Sequence, residues 1–530
     1  MPVPSLHLKP MATRNYQDAI EYLNTLQTSA DTLGAAKAAR SRLNPNPIPK
    51  MIEFLERIGY TCEDLNKLNV IHVTGTKGKG STCAFIDSIV RHVRPNWKTG
   101  LYTSPHLVAV RERIRIGGVP LSEDDFTRYF FEVWDRLQQN GPRTPEFPVM
   151  PSYFRYLTLM AFHTFLAEGV NATILEVGVG GESDSTNIVP RPIVTGIAAL
   201  GLDHTSVLGK TIAAIAEKKG GIYKSGVPAL SVSQPEEGML VLKERAEASQ
   251  ASYFMEVPIL PGIENVTLGL AGEHQLQNAA LAIQMANIFL HSMDGLHDRP
   301  EPLSHIPESF ITGLENAKWP GRCQTVSDPK YQSITWYLDG AHTTESVLCC
   351  TRWFVNARVG LCSSPTSTTI VANGTSDLTA EKFRCTRVLI FNCTKGRSGL
   401  ELLGTMLEET QKLLLQYGST EHVEKIFQQV IFCNNVTYAD GRFKGDLTSR
   451  AMSADARTDL KAQHELADAW SQLVTAFPTD SIHVVPSIEH AVQTVRGISK
   501  AFDRVSVLVT GSLHLVGGVI EVAELSSVAL

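Results

Sequence analysis

The sequence predicts an α/β protein of two domains, each built on a parallel sheet, and three observations carry that expectation. Short β-branched runs alternate with segments of helical periodicity from Leu68 onward, the pattern of parallel strands joined by helical crossovers. A bare, lysine-bearing stretch, "GTKGKGST" from Gly75 to Thr82, joins the first such run to the first long helix. The alternation breaks near "AKWPGRCQ" (Ala317 to Gln324), and a second series of strands opens with "SITWYLDGAH" (Ser333 to His342). A boundary is expected near 325 to 332, dividing the chain into 1–328 and 329–530.

With 530 residues the chain exceeds one typical core, so about two to four domains are expected. A hydrophobic fraction of 43% with 19% charged residues describes a globular protein rather than a disordered one. The net charge of −6 argues against a general nucleic-acid binder or a membrane-surface binder. Any anionic substrate must then be met by a local basic cluster. There is no run of 18 apolar residues, so no transmembrane span is expected. The nine cysteines are scattered and form no C-x-x-C pair, which suits reduced thiols in the cytoplasm or the mitochondrial matrix. The leader "MPVPSLHLKPMATRNYQ" lacks acidic residues but is short and poor in arginine. Met11 offers a second start, and two forms differing only in this leader are an expectation of the sequence.

Taking the elements in order, "YQDAIEYLNTL" begins an amphipathic helix expected from Tyr16 to about Ala36. "LNVIHV" (Leu68 to Val73) reads as a buried strand and "STCAFIDSIVRHV" (Ser81 to Val93) as a helix. A glycine loop between strand and helix turns backbone N–H groups and a helix N-terminus toward a phosphate. Lys79 would reach the outer phosphates there, with Ser81 or Thr82 near a metal. The spacing departs from G-x-x-x-x-G-K-[ST], because Gly80 separates lysine from hydroxyl; the alternative is an ordinary strand–helix turn. The first domain is accordingly expected to be of P-loop mononucleotide-binding type, and the second a smaller Rossmann-like α/β domain.

In "TSPHLVAVRERIRI" (Thr103 to Ile116), a strand over the second half would put Arg111, Arg113 and Arg115 on one face. Three guanidinium groups suit a carboxylate-rich or phosphate-bearing ligand, the alternative being a solvated edge strand. "NATILEVGVGG", "PIVTGIAALGLDH" and "PALSVS" read as further strands ending in glycine or polar sites. Ligand sites of parallel sheets lie beyond the strands' C-terminal ends. "EVGVGGESDSTN" sets Glu176 at such an end, ahead of Asp184 and Asn187. A carboxylate there is placed to hold Mg²⁺, the alternative being a helix cap or an ion pair. "LGLDHTSVLGKTIAAIAEKKGGIYK" sets Asp203 and His204 at the next end and runs a helix into Lys218, Lys219 and Lys224. Lysines at a helix C-terminus favour the dipole, so charge alone singles none out.

"YLDGAH" offers Asp339 and His342 beyond the strand that opens the second domain, placed to orient a nucleotide. "RVLIFNCT", "QQVIFCNN", "DSIHVVPS" and "RVSVLVTGSLHLVGGV" continue that domain's strands, and residues 361–380 and 441–463 read as polar surface insertions.

The ordered set "GTKGKGST", "YTSPHLVAVRERIRI", "SYFRYLTLMAF", "EVGVGGESDSTN", "LGLDHTSVLG", "AGEHQLQNAALA", "WPGRCQ" and "YLDGAH" resembles the folylpolyglutamate synthases within the wider Mur ligase family. The eukaryotic form is the nearer, and the resemblance runs from about Tyr16 to "TGSLHLVGG" (Thr510 to Gly518). It implies ATP contacts at Gly75, Thr76, Lys77, Gly78, Lys79, Gly80, Ser81, Thr82, Asn278, Arg322, Asp339 and His342. It implies magnesium ligands at Ser104, Glu176 and His204, and a carbamylated lysine at Lys219, with adjacent Lys218 left open. Lys79, Lys219 and His342 take catalytic roles and Arg111 and Arg113 folate-binding ones. Arg322 is expected to end the first domain and Asp339 and His342 to begin the second, so that ATP links the two. Ser183 stands where relatives often carry a bulky residue, and "FNCTKGR" lacks the usual acid after Arg397.

The implied reaction is ATP-dependent addition of L-glutamate to the γ-carboxyl of a reduced folate through an acyl phosphate. ATP and Mg²⁺ are implied, and a monovalent cation such as K⁺ is admitted. Reduced folates, L-glutamate and ATP are the expected partners, and the chain is expected to be a monomer. Dihydrofolate synthase, adding the first glutamate to dihydropteroate, is the alternative within the class. A regulatory protein that hydrolyses ATP without ligation is the alternative from another class.

Overall fold

The computed structural model describes residues 14–27, 47–145, 147–296, 298–301, 303–356, 384–393, 398–442, 445–447 and 460–530. It divides into two compact units: residues 1–269 with 274–318, and residues 270–273 with 319–530.

The first unit is organised on eight strands, β1 (Val70–Thr74), β2 (Thr99–Tyr102), β3 (Ile114–Ile116), β4 (Val119–Pro120), β5 (Ala172–Glu176), β6 (Val194–Ile197), β7 (Ala229–Val232) and β8 (Phe254–Val257). Their order is β4-β3-β2-β5-β1-β6-β7-β8. From β2 to β8 the neighbours are parallel, and β3 and β4 extend the sheet antiparallel at one side. Every residue of β1, β5, β6 and β7 is buried, which is why these strands read as near-continuous apolar runs. The helix Tyr153–Glu168 is buried from Tyr156 through Phe165 and packs in one aromatic core with the helix Glu123–Gln139, through Phe130, Trp134 and Tyr156.

Three helices position the site: α1 (Lys79–Val93), α2 (Ile212–Gly220) and α3 (His274–Met293). Gly78, the residue before α1, has φ of 82°, a left-handed backbone that favours glycine. A side chain there would also run into Asn278 of α3.

The second unit carries β9 (Gln324–Ser327), β10 (Ile334–Leu338), β11 (Cys385–Phe391), β12 (Gln429–Cys433), β13 (Ile482–Val485) and β14 (Arg504–Thr510). The order is β13-β12-β11-β14-β10-β9, parallel except for the last pair. Because β9 pairs with β10, the division falls between Lys318 and Trp319, ahead of the 328/329 boundary read from the sequence. Arg322 therefore belongs to the second unit instead of ending the first.

Three further expectations are corrected. The first helix ends at Thr25, and residues 28–36 of its expected range lie outside the described residues. Arg111 and Arg113 do not alternate on a strand with Arg115. Residues Val110–Arg113 form one turn of 3-10 helix and only Ile114–Ile116 is strand. The reason is Glu112, buried at the turn, whose carboxylate accepts hydrogen bonds from the N–H groups of Leu107, Val108 and Ala109 at 2.9, 3.0 and 2.6 Å. The polar stretch 441–463 ends inside the helix Lys461–Leu473; most of it, all of 361–380, and Arg397 lie outside the described residues.

Candidate active site

The loop after β1 is braced from behind by the chain leaving β6. Ala199 O accepts from Thr76 N and Lys77 N at 2.8 and 3.0 Å, and Thr76 Oγ1 donates to Gly201 O at 3.1 Å. These bonds hold Gly75 to Gly80 in a fixed turn, and Gly78, as the N-cap, supplies no side chain to the first N–H groups of α1. Such exposed donors at a helix N-terminus bind anions. Asn278 of α3 donates to Gln275 Oε1 at 2.9 Å, and Gln275 Nε2 donates to Ser81 Oγ at 3.3 Å. Gln275 was not singled out in the sequence. Its signal was the i, i+3 spacing to Asn278, which puts both on one helix face.

Lysines gather at this loop. Lys77 lies 3.6 Å from Asp203 Oδ2. Lys219, on the last turn of α2, is only 3% exposed and donates to Gly75 O at 2.7 Å. Lys218, one residue earlier, is 47% exposed at its side chain and pairs with Glu182 at 2.8 Å. A helix turns about 100° per residue, so the two lysines leave different faces, and the one at the loop is Lys219. Desolvation, assisted by the Lys79 charge, brings the Lys219 amine down to about 7. His204 is exposed, with φ of 50°; desolvation lowers its pKa, Asp203 opposes that, and Lys79, Lys219 and Lys77 add to it.

Glu176 ends β5, buried, and its Oε2 accepts from Ser104 N at 2.8 Å. Burial pushes the Cys83 thiol up, with Glu176 adding to the rise and Lys79 opposing it, so carboxylate and ammonium share this corner. Thr82 Oγ1 is buried there without a hydrogen-bond partner. A hard cation that keeps several waters and takes few protein oxygens fits this donor set. No group of three or more His, Cys, Asp or Glu side chains poised for a metal occurs among the described residues.

Asp184, in the loop that follows Glu176, is a cap. It is buried and accepts from Gly178 N, Val179 N, Thr186 N and Thr186 Oγ1 at 3.1, 3.1, 3.0 and 2.7 Å. Asn187 donates to Glu182 O and Gly221 O, tying the same loop to the end of α2.

The arginine turn is dispersed. Arg111 donates to Leu121 O at 3.0 Å, and Arg113 donates to His106 Nδ1 at 2.9 Å and lies over the Tyr153 ring. Arg115 is buried against Glu112 O and Gly118 O.

In the second unit, Arg322, Asp339 and His342 come together. Asp339 Oδ2 accepts from Cys323 N and Oδ1 from Ala341 N, both at 2.8 Å. Gly340 N donates to Gly321 O at 3.1 Å, and His342 Nδ1 lies 2.8 Å from Gly340 O.

A parallel sheet with a glycine–lysine loop at its centre, followed by a second α/β unit, defines a nucleotide-binding enzyme with the two-domain Mur ligase architecture. No family model matches the chain. The folylpolyglutamate synthase of Saccharomyces cerevisiae (strain FostersO) is 41% identical over 523 residues, covering 97% of this chain and 88% of that protein. That of Candida albicans is 42% identical over 530 residues, covering 96% of each. The solved Mycobacterium tuberculosis folylpolyglutamate synthase complexed with ADP and AMPPCP superposes with a TM-score of 0.64 at 21% identity, over 92% of this chain and 97% of that one. Escherichia coli FolC in complex with DHPP and ADP gives 0.63 at 22% identity, over 98% and 100%. The chain belongs to the folylpolyglutamate synthases, ATP-dependent ligases that add L-glutamate to folates.

Proposed function

We propose that the chain extends tetrahydrofolyl-(poly)glutamate at its γ-carboxyl, and that the residues gathered at the loop after β1 carry the reaction. The observation that carries this reading is the buried Lys219 amine hydrogen-bonded to Gly75 O of the phosphate loop. A carboxylate does not condense usefully with an amine at neutral pH. The γ-phosphoryl of ATP therefore passes to the folate γ-carboxylate, releasing ADP. The α-amine of glutamate attacks the acyl phosphate carbon, phosphate leaves with the bonding pair, and the amine proton is lost. Phosphoryl transfer asks for positioning and charge stabilisation rather than covalent help.

Lys79 and the loop N–H groups hold the outer phosphates, and Asn278 supports the loop from α3. In the second unit, Arg322, Asp339 and His342 are assigned to the nucleotide. Arg111 and Arg113 keep guanidinium donors beyond the single hydrogen bond described for each and are assigned to folate carboxylates. Ser104, Glu176 and His204 would hold Mg²⁺, which supplies charge neutralisation for the triphosphate. An amine with pKa near 7 is substantially neutral at physiological pH and can add CO2, forming an N–C bond and releasing one proton. Carbamylated Lys219 would then present oxygen ligands in place of a cation. Lys219→Ala should lose about 10²-fold in turnover, partly restored by formate or acetate.

The deciding assay is ATP turnover with tetrahydrofolate and L-glutamate supplied together or singly. Turnover that needs both supports the ligase, and turnover indifferent to both supports ATP hydrolysis alone. Glutamate incorporation into dihydropteroate in place of tetrahydrofolate would favour dihydrofolate synthase. Replacing K⁺ by Na⁺ at constant ionic strength tests a monovalent-cation requirement. Sedimentation tests the monomer, and organelle fractionation tests a cytoplasmic or matrix location.

A further inference from the structure

We propose that His72, acting through Thr186 and Asp184, is a positioning residue for this reaction, fixing the loop that leaves Glu176 and with it the metal-binding edge of the site. The inference rests on the reading of Glu176 as a magnesium ligand.

His72 lies in the middle of β1, fully buried, in the strand that leads into the phosphate loop. A histidine in the centre of a parallel sheet is costly unless its polar atoms are used. Its Nε2 is 2.8 Å from Thr186 Oγ1, and Thr186 Oγ1 donates its one proton to Asp184 Oδ1 at 2.7 Å. The histidine must therefore be the donor, with the proton on Nε2 and a bare Nδ1, and Nδ1 indeed has no partner. Burial holds the His72 pKa down at about 3, so the ring stays neutral and the direction of the chain is fixed.

Burial raises the pKa of Asp184, and the three backbone N–H groups that donate to it, from Gly178, Val179 and Thr186, oppose that rise and favour the ionised carboxylate. Its other oxygen takes the N–H groups of Gly178 and Val179, the second and third residues after Glu176. Thr74, on the same face of β1 two residues on, donates to Gly180 O. The strand under the phosphate loop thus holds residues 178–186 from inside, while Asn187 and Glu182 N tie the loop to the end of α2 beside Lys219. The buried chain from His72 to Gly178 and Val179 fixes the loop leaving Glu176, and separate bonds from Asn187 and Glu182 N tie that loop to the turn that carries Lys219. Groups that support metal ligands from behind are typically worth about 10–100-fold in metal affinity.

The test compares His72→Leu, His72→Gln and Thr186→Val in the full chain by Mn²⁺ titration, followed by EPR, with AMPPCP present, alongside kcat and KM for ATP. Leucine fills the space and removes the donor; glutamine keeps a donor at the depth of Nε2. The expectation is about tenfold weaker Mn²⁺ binding in His72→Leu and Thr186→Val, substantial recovery in His72→Gln, and a fall in kcat at saturating metal. A residue that only fills the core predicts the reverse order, leucine tolerated and glutamine worse, and that result overturns the proposal. Should His72→Leu fail to fold, Thr186→Val, which preserves shape, decides alone: wild-type Mn²⁺ affinity overturns the proposal. Absence of saturable Mn²⁺ binding in the wild type overturns the metal reading itself, and the inference with it.

Discussion

The turns that follow β1 and β10 both combine glycine with charged side chains, and they use them in opposite ways. After β1 the lysines converge on a loop whose backbone N–H groups open a helix, and Thr82 Oγ1 lies buried without a partner. After β10 both oxygens of Asp339 are occupied by backbone N–H groups of Cys323 and Ala341, and His342 Nδ1 faces Gly340 O. The first turn is arranged to receive a ligand; the second holds itself together first. A polar residue at a strand end marks a binding site only when the surrounding backbone has left its polar atoms work to do.

Substitutions should separate the two turns by what they damage. The largest effect is expected from Lys79→Ala. Its one described tie is a 3.5 Å bond to Thr76 O, so turnover should fall on the order of 10³-fold while the unfolding midpoint stays nearly constant in a thermal melt. Parallel loss of stability would erase the contrast. Asp339→Ala should act the other way, leaving two N–H groups without their acceptor at about 1–3 kcal/mol each, read by urea unfolding. Its nucleotide affinity by calorimetry should fall as well; lowered affinity at full stability would make this turn a dedicated receiver like the first.

Lys219 gives a smaller, pH-dependent effect. Its folded pKa of about 7 lies below the ordinary lysine value, so between about 7 and about 10.4 the unfolded state binds more protons than the folded one. Stability from this group should therefore rise with pH across that window and level off below it. Lys219→Met should remove the slope, with the largest gain in melting temperature near pH 7. Smallest of all, Lys218→Ala cuts an exposed pair with Glu182 and should cost about 0–1 kcal/mol at unchanged turnover. A loss like that of Lys219→Ala would exchange the two lysines' roles.

Most of the strands were legible because parallel strands buried on both faces are written as near-continuous apolar runs, and each run read as a strand overlaps one; β2 ("TGLY") and β8 carry no such run and were not read. The strand, glycine loop and helix from Val70 to Val93 were legible for a related reason, since three glycines and two lysines stand in six residues between such runs. The arginine turn was not. Alternation of Arg111, Arg113 and Arg115 fits a strand, and nothing in the spacing reveals that Glu112 folds back on three N–H groups. β9 escaped because "QTVS" is short and polar but for Val326, so the boundary was drawn after it. The choice between Lys218 and Lys219 needed the helix's rotational setting, and the cap role of Asp184 needed the four donors around it.

Pro120 closes one side of the first unit. The strand β4 is only Val119–Pro120, paired to β3 through Arg115 and Ile116. Proline offers no backbone N–H, so the outermost rung of an eight-stranded sheet presents almost nothing on which another chain could template itself. A long open rim is an invitation to polymerise; here two residues, one of them unable to donate, withdraw it.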